Sequence, residues 1–139
     1  MGLTKWLYLA ILAQIAIPMW VLLLNAKRKS AEYKAGNVSE DAPTDNAAWS
    51  LPVLLTSNSL ANQFQLPILF YVLCFIFIQM QQVSLLLVVL SWWFVVTRWI
   101  HALVHVNTNY IPHRFVSFLL GVLALVVMFF YAVWLVLQL

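Results

Sequence analysis

At 139 residues, with 8% of positions charged and 65% hydrophobic, the chain is too poor in charge to be an ordinary soluble domain, where about a quarter of residues are charged. Its formal charge of +3 comes from scattered basic residues that form no broad patch and no basic motif interleaved with aromatics, which sets nucleic-acid binding aside. The length allows one domain, and the apolar residues are gathered into stretches long enough to cross a hydrocarbon core of about 30 Å as helices of about 20 residues.

The first apolar stretch, residues 5–24, carries Pro18, which a membrane helix tolerates when neighbours satisfy the freed carbonyl. It is long, has basic residues after it and shows no small-x-small cleavage site, so it reads as a retained span rather than a secretory leader. From Asn25 the composition changes. Lys27, Arg28, Lys29 and Lys34 appear together with all four acidic residues, Glu32, Glu40, Asp41 and Asp45, and residues 25–55 read as an aqueous loop punctuated by Gly36 and Pro43.

The second span is expected over residues 56–80, capped by Thr56 or Ser57. Gln79, Gln81, Gln82 and Ser84 leave room only for a tight hairpin before the third span, residues 83–106. A second turn, residues 107–113 with Pro112 inside it, leads to the fourth span, residues 114–137. The expected architecture is an all-α, integral membrane four-helix bundle forming a single domain. Cys74 is the only cysteine, which excludes an intrachain disulfide, and its apolar neighbours predict a buried, inert thiol.

Basic residues in short loops set orientation. The first loop holds four, against Lys5 alone before the first span, so that loop and the 107–113 turn are expected on the cytoplasmic side and both termini opposite.

Two polar stripes interrupt this apolar background. Asn58, Asn62 and Gln65 recur at i, i+4 and i+7 on the second helix, and Arg98, His101 and His105 at i, i+3 and i+7 on the third. The topology brings both near one membrane face. A guanidinium in mid-helix costs on the order of 3 kcal/mol unless paired or hydrated, and no Asp or Glu falls in any predicted span. Arg98 must therefore meet amides, carbonyls, water, phosphate or an anionic ligand. Two readings stay open: interfacial anchoring of Arg98 and Arg114 with interhelical amide bonds, or a cytoplasmic cavity for a polar anionic ligand beside an apolar one. His101 and His105, one turn apart, lack the further ligands that a zinc, di-iron or haem site needs, and no metal is assigned.

Asn62-Gln-Phe-Gln-Leu-Pro-Ile-Leu-Phe-Tyr71, followed by Arg98-Trp-Ile-His101-Ala-Leu-Val-His105 and then by Asn107, Asn109, Pro112, Arg114, Phe115 and Gly121, resembles the MAPEG family of membrane-associated proteins in eicosanoid and glutathione metabolism. The resemblance covers nearly the whole chain and points to a bacterial-type member, hence a bacterial inner membrane. The later motif is similar in spacing to the prostaglandin E synthase branch.

What the resemblance implies is a homotrimer binding glutathione between subunits, with Arg114 stabilising the thiolate and Arg98, His101, His105, Asn62, Gln65 and Asn58 at the glutathione-binding positions. The chain departs from the pattern at Asn58, where an arginine is usual, and at Gln65, where a glutamate is usual. Two expectations follow. The first is a glutathione-dependent transferase or peroxidase for lipophilic electrophiles. The second is a catalytically inactive protein of the same fold, binding lipid or serving as an accessory subunit of a larger membrane complex.

Overall fold

The computed structural model describes residues 2–138. Five α-helices make up the four spans: α1 (Gly2–Lys34), α2 (Leu51–Asn62), α3 (Leu66–Gln79), α4 (Leu85–Val106) and α5 (Ile111–Val136), with one 3-10 turn, Asn46–Ala48, in the first loop. Helices α2 and α3 together form the second span, Leu51–Gln79, so four helical stretches are long and apolar enough to cross a bilayer.

The first span is longer than residues 5–24. Its helix runs unbroken through Pro18 to Lys34, and 33 residues reach about 50 Å, well beyond a hydrocarbon core of about 30 Å. Charge alone does not end a helix; geometry does. At Gly36 the backbone turns left-handed (φ 70°), letting the Gly36 and Asn37 amides bond back to the Tyr33 and Glu32 carbonyls at 3.1 and 3.2 Å, the Schellman closure that glycine permits. The basic run therefore sits on helix rather than in the loop.

The second span begins at Leu51 rather than near residue 56, because Pro52 has its fixed φ and missing N–H suited to a first helical turn. The same residue type then breaks this span. In a continuous helix the Pro67 ring would clash with the carbonyl of Gln63, four residues back. The chain tightens instead: the amides of Gln63, Phe64 and Gln65 bond three residues back, to Leu60, Ala61 and Asn62, at 3.0, 3.1 and 3.4 Å. Helix α3 restarts with Pro67 in its first turn.

Gln81 (φ 58°) makes the first hairpin, with Gln82 N bonded to Phe77 O at 3.0 Å, and Ser84 caps α4 by accepting from the Leu87 amide at 3.3 Å. Helix α4 starts at Leu85, and α5 at Ile111, one turn earlier than residue 114, again with proline at its start.

Helix α4 is central, packing on α1, α2 and α5. Its interior side carries Leu87, Phe94 and Val95, which meet Phe70, Phe77 and Met128 in the main core, and Phe70 stacks on Phe94 at 4.6 Å. Outward faces remain apolar, as with Leu23, Phe64, Val72 and Phe130, as a lipid-facing surface requires. Since lipid is as apolar as a core, close packing and interhelical hydrogen bonds hold such helices together. The tryptophans supply several of these: the indole N–H of Trp92 donates to Trp6 O and that of Trp99 to Ala13 O, both at 3.2 Å, and Trp93 donates to Leu120 O at 3.3 Å. Cys74 is fully buried, with Sγ 4.0 Å from Ser91 Oγ.

At the end of the bundle nearest the first loop, Arg28 joins three helices, its Nη1 donating to Pro52 O at 2.8 Å and to Val106 O at 3.1 Å. The second acceptor is the last residue of α4, where a cation meets the negative end of the helix dipole. One turn inward, Asn25 Oδ1 accepts from Thr56 Oγ1 at 3.0 Å.

Candidate functional site: a polar pocket beside the first loop

A pocket of about 430 Å³ opens between α2, α4 and α5, lined by Asn58, Asn62, His101, His105, Ile111, Arg114, Phe115 and Phe118. Five polar side chains from three helices thus share one wall. Helical spacing explains each contribution: Asn58 and Asn62 are one turn apart on α2, His101 and His105 one turn apart on α4, and Arg114 and Phe118 one turn apart on α5.

The histidines are buried, with rings 5.8 Å apart and nearly perpendicular at 85°. His101 Nδ1 lies 3.0 Å from the backbone carbonyl of Arg114. A carbonyl only accepts, so Nδ1 carries the proton there and fixes the tautomer of the neutral ring. This bond also holds the first turn of α5 against α4. Among the described residues, no third His, Cys, Asp or Glu joins the pair in a metal-ligand group.

Arg114 is half-buried, and its Nη1 donates to Asn109 Oδ1 at 2.6 Å. Asn109 adopts a left-handed backbone (φ 49°) in the α4–α5 turn, a conformation that asparagine accepts more readily than most residues. With its orientation fixed by an uncharged partner, the guanidinium keeps its full positive charge for whatever enters the pocket. The first loop reaches the pocket at Asn58, whose Oδ1 accepts from Asn46 Nδ2 at 3.4 Å.

Two expected ligand residues lie elsewhere. Gln65 falls after the helix break, so it leaves the stripe of Asn58 and Asn62 and is exposed outside the pocket lining. Arg98 is fully buried, does not line the pocket, and donates from Nη2 to Asn62 O at a long 3.5 Å. That carbonyl ends α2, so the guanidinium sits at a helix C-terminus opened by the break. Asn46 and Asn109 are additions that helical spacing does not reveal, since both lie in connecting segments. Gln63 is buried at the end of α2, which follows only from knowing where the helix breaks.

Below the polar pocket runs an apolar groove of about 600 Å³ between α3 and α5, lined by residues including Leu66, Val72, Ile76, Val122, Val126 and Phe129. Arg114, Phe118, Val122, Val126 and Phe129 follow one stripe of α5 at spacings of three and four.

A family model described as the MAPEG family matches residues 5–134. The chain belongs to the MAPEG family. No curated protein and no solved structure gives a match. MAPEG proteins are integral membrane proteins that generally use glutathione and are typically trimers. The four apolar spans place this MAPEG chain in the membrane as well.

Proposed function

We propose that this MAPEG chain is a glutathione-dependent transferase or peroxidase acting on lipophilic electrophiles, with the thiolate stabilised by Arg114. The observation that carries the reading is the convergence of Arg114, His101, His105, Asn58 and Asn62 on one open pocket above an apolar groove. Glutathione is a polar, anionic tripeptide. The amides and imidazoles supply hydrogen-bond partners for its peptide and carboxylate groups, and the guanidinium supplies the only formal charge among the side chains lining the pocket.

A cation beside a thiol favours the ionised form, which is the nucleophile. In a transfer reaction the thiolate sulfur attacks the electrophilic carbon of the second substrate, and the leaving group departs with the bonding pair. In a peroxidase reaction the sulfur attacks a peroxide oxygen, the O–O bond breaks, and the departing alkoxide takes a proton. The resulting sulfenic acid is resolved by a second glutathione, giving the disulfide and water. An apolar electrophile arriving from the bilayer along the groove between α3 and α5 meets the sulfur at the pocket floor. In this reading the pocket faces the cytoplasm, following the basic loop, and the assembly is a homotrimer.

The absence of Gln65 and Arg98 from the pocket lining favours a second reading, in which the chain retains the fold as an accessory or lipid-binding subunit without the chemistry. Calorimetric titration of the detergent-purified protein with glutathione separates the two. Saturable binding that is lost in Arg114→Ala supports the enzyme; no heat at millimolar glutathione leaves the scaffold.

A further inference from the structure

The interior of the bundle behind the pocket contains a charge that the chain does not balance. Arg98 is completely buried, and its Nε and Nη1 have no hydrogen-bond partner. Its single bond, to Asn62 O at 3.5 Å, uses only Nη2. Around it are further orphans. Gln14 on α1 is completely buried with both amide atoms unpaired, and Ser59 Oγ on α2 and Gln63 Oε1 at the helix break are unpaired as well.

Neighbouring bonds bring these residues to one level. Trp99, next to Arg98, donates to the carbonyl of Ala13, next to Gln14. Ser59 on α2 and Gln63 just past its end are four residues apart, with Gln63 Nε2 donating to Ser59 O at 3.2 Å, and Asn62 between them receives Arg98. A buried polar group without a partner costs about 1 to 3 kcal/mol, so several orphans in one place indicate something that satisfies them.

Water satisfies donors and acceptors alike but supplies no charge. Guanidinium stays protonated in proteins, and a buried charge needs a counter-charge. All four acidic residues lie in the last turns of α1 or in the loop beyond it. A ligand in the pocket does not serve either, because Arg98 has no exposed surface and is not part of the pocket wall.

We propose that a small monovalent inorganic anion of the halide class resides between Arg98, Gln14 and Ser59, in the bundle interior at the α2–α3 break. Arg98 Nε and Nη1, the Gln14 amide N–H and the Ser59 hydroxyl donate to it. Water is left to satisfy the unpaired acceptors Gln14 Oε1 and Gln63 Oε1. The site is separate from the glutathione reading and stands whether or not that reading does.

The test uses the full-length protein in detergent, with chloride or bromide compared against gluconate at equal ionic strength. Thermal unfolding is expected to shift upward saturably in the halides, and the ³⁵Cl resonance to broaden on adding protein. Arg98→Gln should abolish both effects, Ser59→Ala should weaken halide binding about tenfold, and Lys34→Gln, on the surface, should leave both intact. Identical unfolding in halide and gluconate, or a halide effect undiminished in Arg98→Gln, overturns the proposal. Should Arg98→Gln fail to fold, the ³⁵Cl line width of the unmodified protein and of Ser59→Ala decides alone: no broadening, or no loss in Ser59→Ala, refutes the site.

Discussion

Replacing Arg114 with glutamine removes the pocket's formal charge while keeping a polar side chain at that position. A guanidinium about 4 Å from a thiolate contributes about 1 kcal/mol at the dielectric of water and about 4 kcal/mol at an effective dielectric of 20. Arg114 is half-buried and the pocket is open, which selects the lower half of that range, about 2 kcal/mol, or roughly 1.5 pKa units at 1.36 kcal/mol each. A thiol that ordinarily titrates near about 8.5 then titrates near about 7 in the pocket, and the substitution lowers its ionised fraction at pH 7 from about one half to about 3%.

The remaining thiolate is more basic and, with a Brønsted slope of about 0.45, about fivefold more reactive. The sign of the effect therefore depends on pH. At saturating glutathione, kcat of the variant should be about threefold below that of the parent at pH 7 and should overtake it above about pH 8. The ratio of the two should rise about 15-fold between pH 7 and pH 9.5. Any uniform loss from poorer positioning shifts both limbs equally and leaves that rise unchanged. Steady-state turnover of an aryl halide across this range, with the thiolate absorbance followed in parallel, measures it. A ratio that does not change with pH, in a variant that still binds glutathione, would refute the assignment of Arg114 as the thiolate partner.

Arg28→Ala removes two charge-assisted bonds joining α1 to α2 and α4 and should destabilise the protein by about 2 kcal/mol in thermal unfolding. Gly121→Ala brings a Cβ to 3.0 Å from Thr97 Oγ1, whose hydroxyl is already held by Phe94 O at 2.7 Å. The crowding should outweigh the gain in helix propensity of about 1 kcal/mol and lower the unfolding temperature, and adding Thr97→Ala should restore it. Gln65→Ala should change glutathione affinity by less than about 0.5 kcal/mol, as expected of an exposed side chain outside the pocket, whereas Asn62→Ala should weaken it by about 1 kcal/mol in the same titration.

The four spans were legible because bilayer thickness imposes a length on apolar runs, and the convergence of Asn58 and Asn62 with His101, His105 and Arg114 followed from helical periodicity and alternating direction. The loop boundaries were less so. The basic run from Lys27 to Lys34 looks like loop by composition, yet nothing in those residues breaks a helix before Gly36, and a helix that has left the hydrocarbon core is free to continue in water. Asn46 carried no signal, and Asn109 entered only through the family resemblance, because a residue in a turn acquires its role from the helices that the turn joins.

The fate of Gln65 shows how a local rule defeats a periodic one. Proline is common within membrane helices, and Pro18 passes through α1 without ending it. Pro67 does end one, and the break is accompanied by a contact that a continuous helix would lack. At the break, Arg98 offers a guanidinium to the terminal carbonyl of α2, so the broken helix gains a charged partner. Continuing the helix would take that carbonyl back into the ladder and leave the buried cation with no acceptor among the bonds it now makes. Arg98 and Arg114 are the same residue type on adjacent spans, and a periodicity plot treats them alike. The first is committed to a neighbouring backbone, deep in the bundle, and the second is braced by an asparagine amide at the mouth of a pocket. Only the second retains an uncompensated charge where a ligand can reach it, which is why the chemistry is assigned to Arg114 and not to the more deeply buried cation.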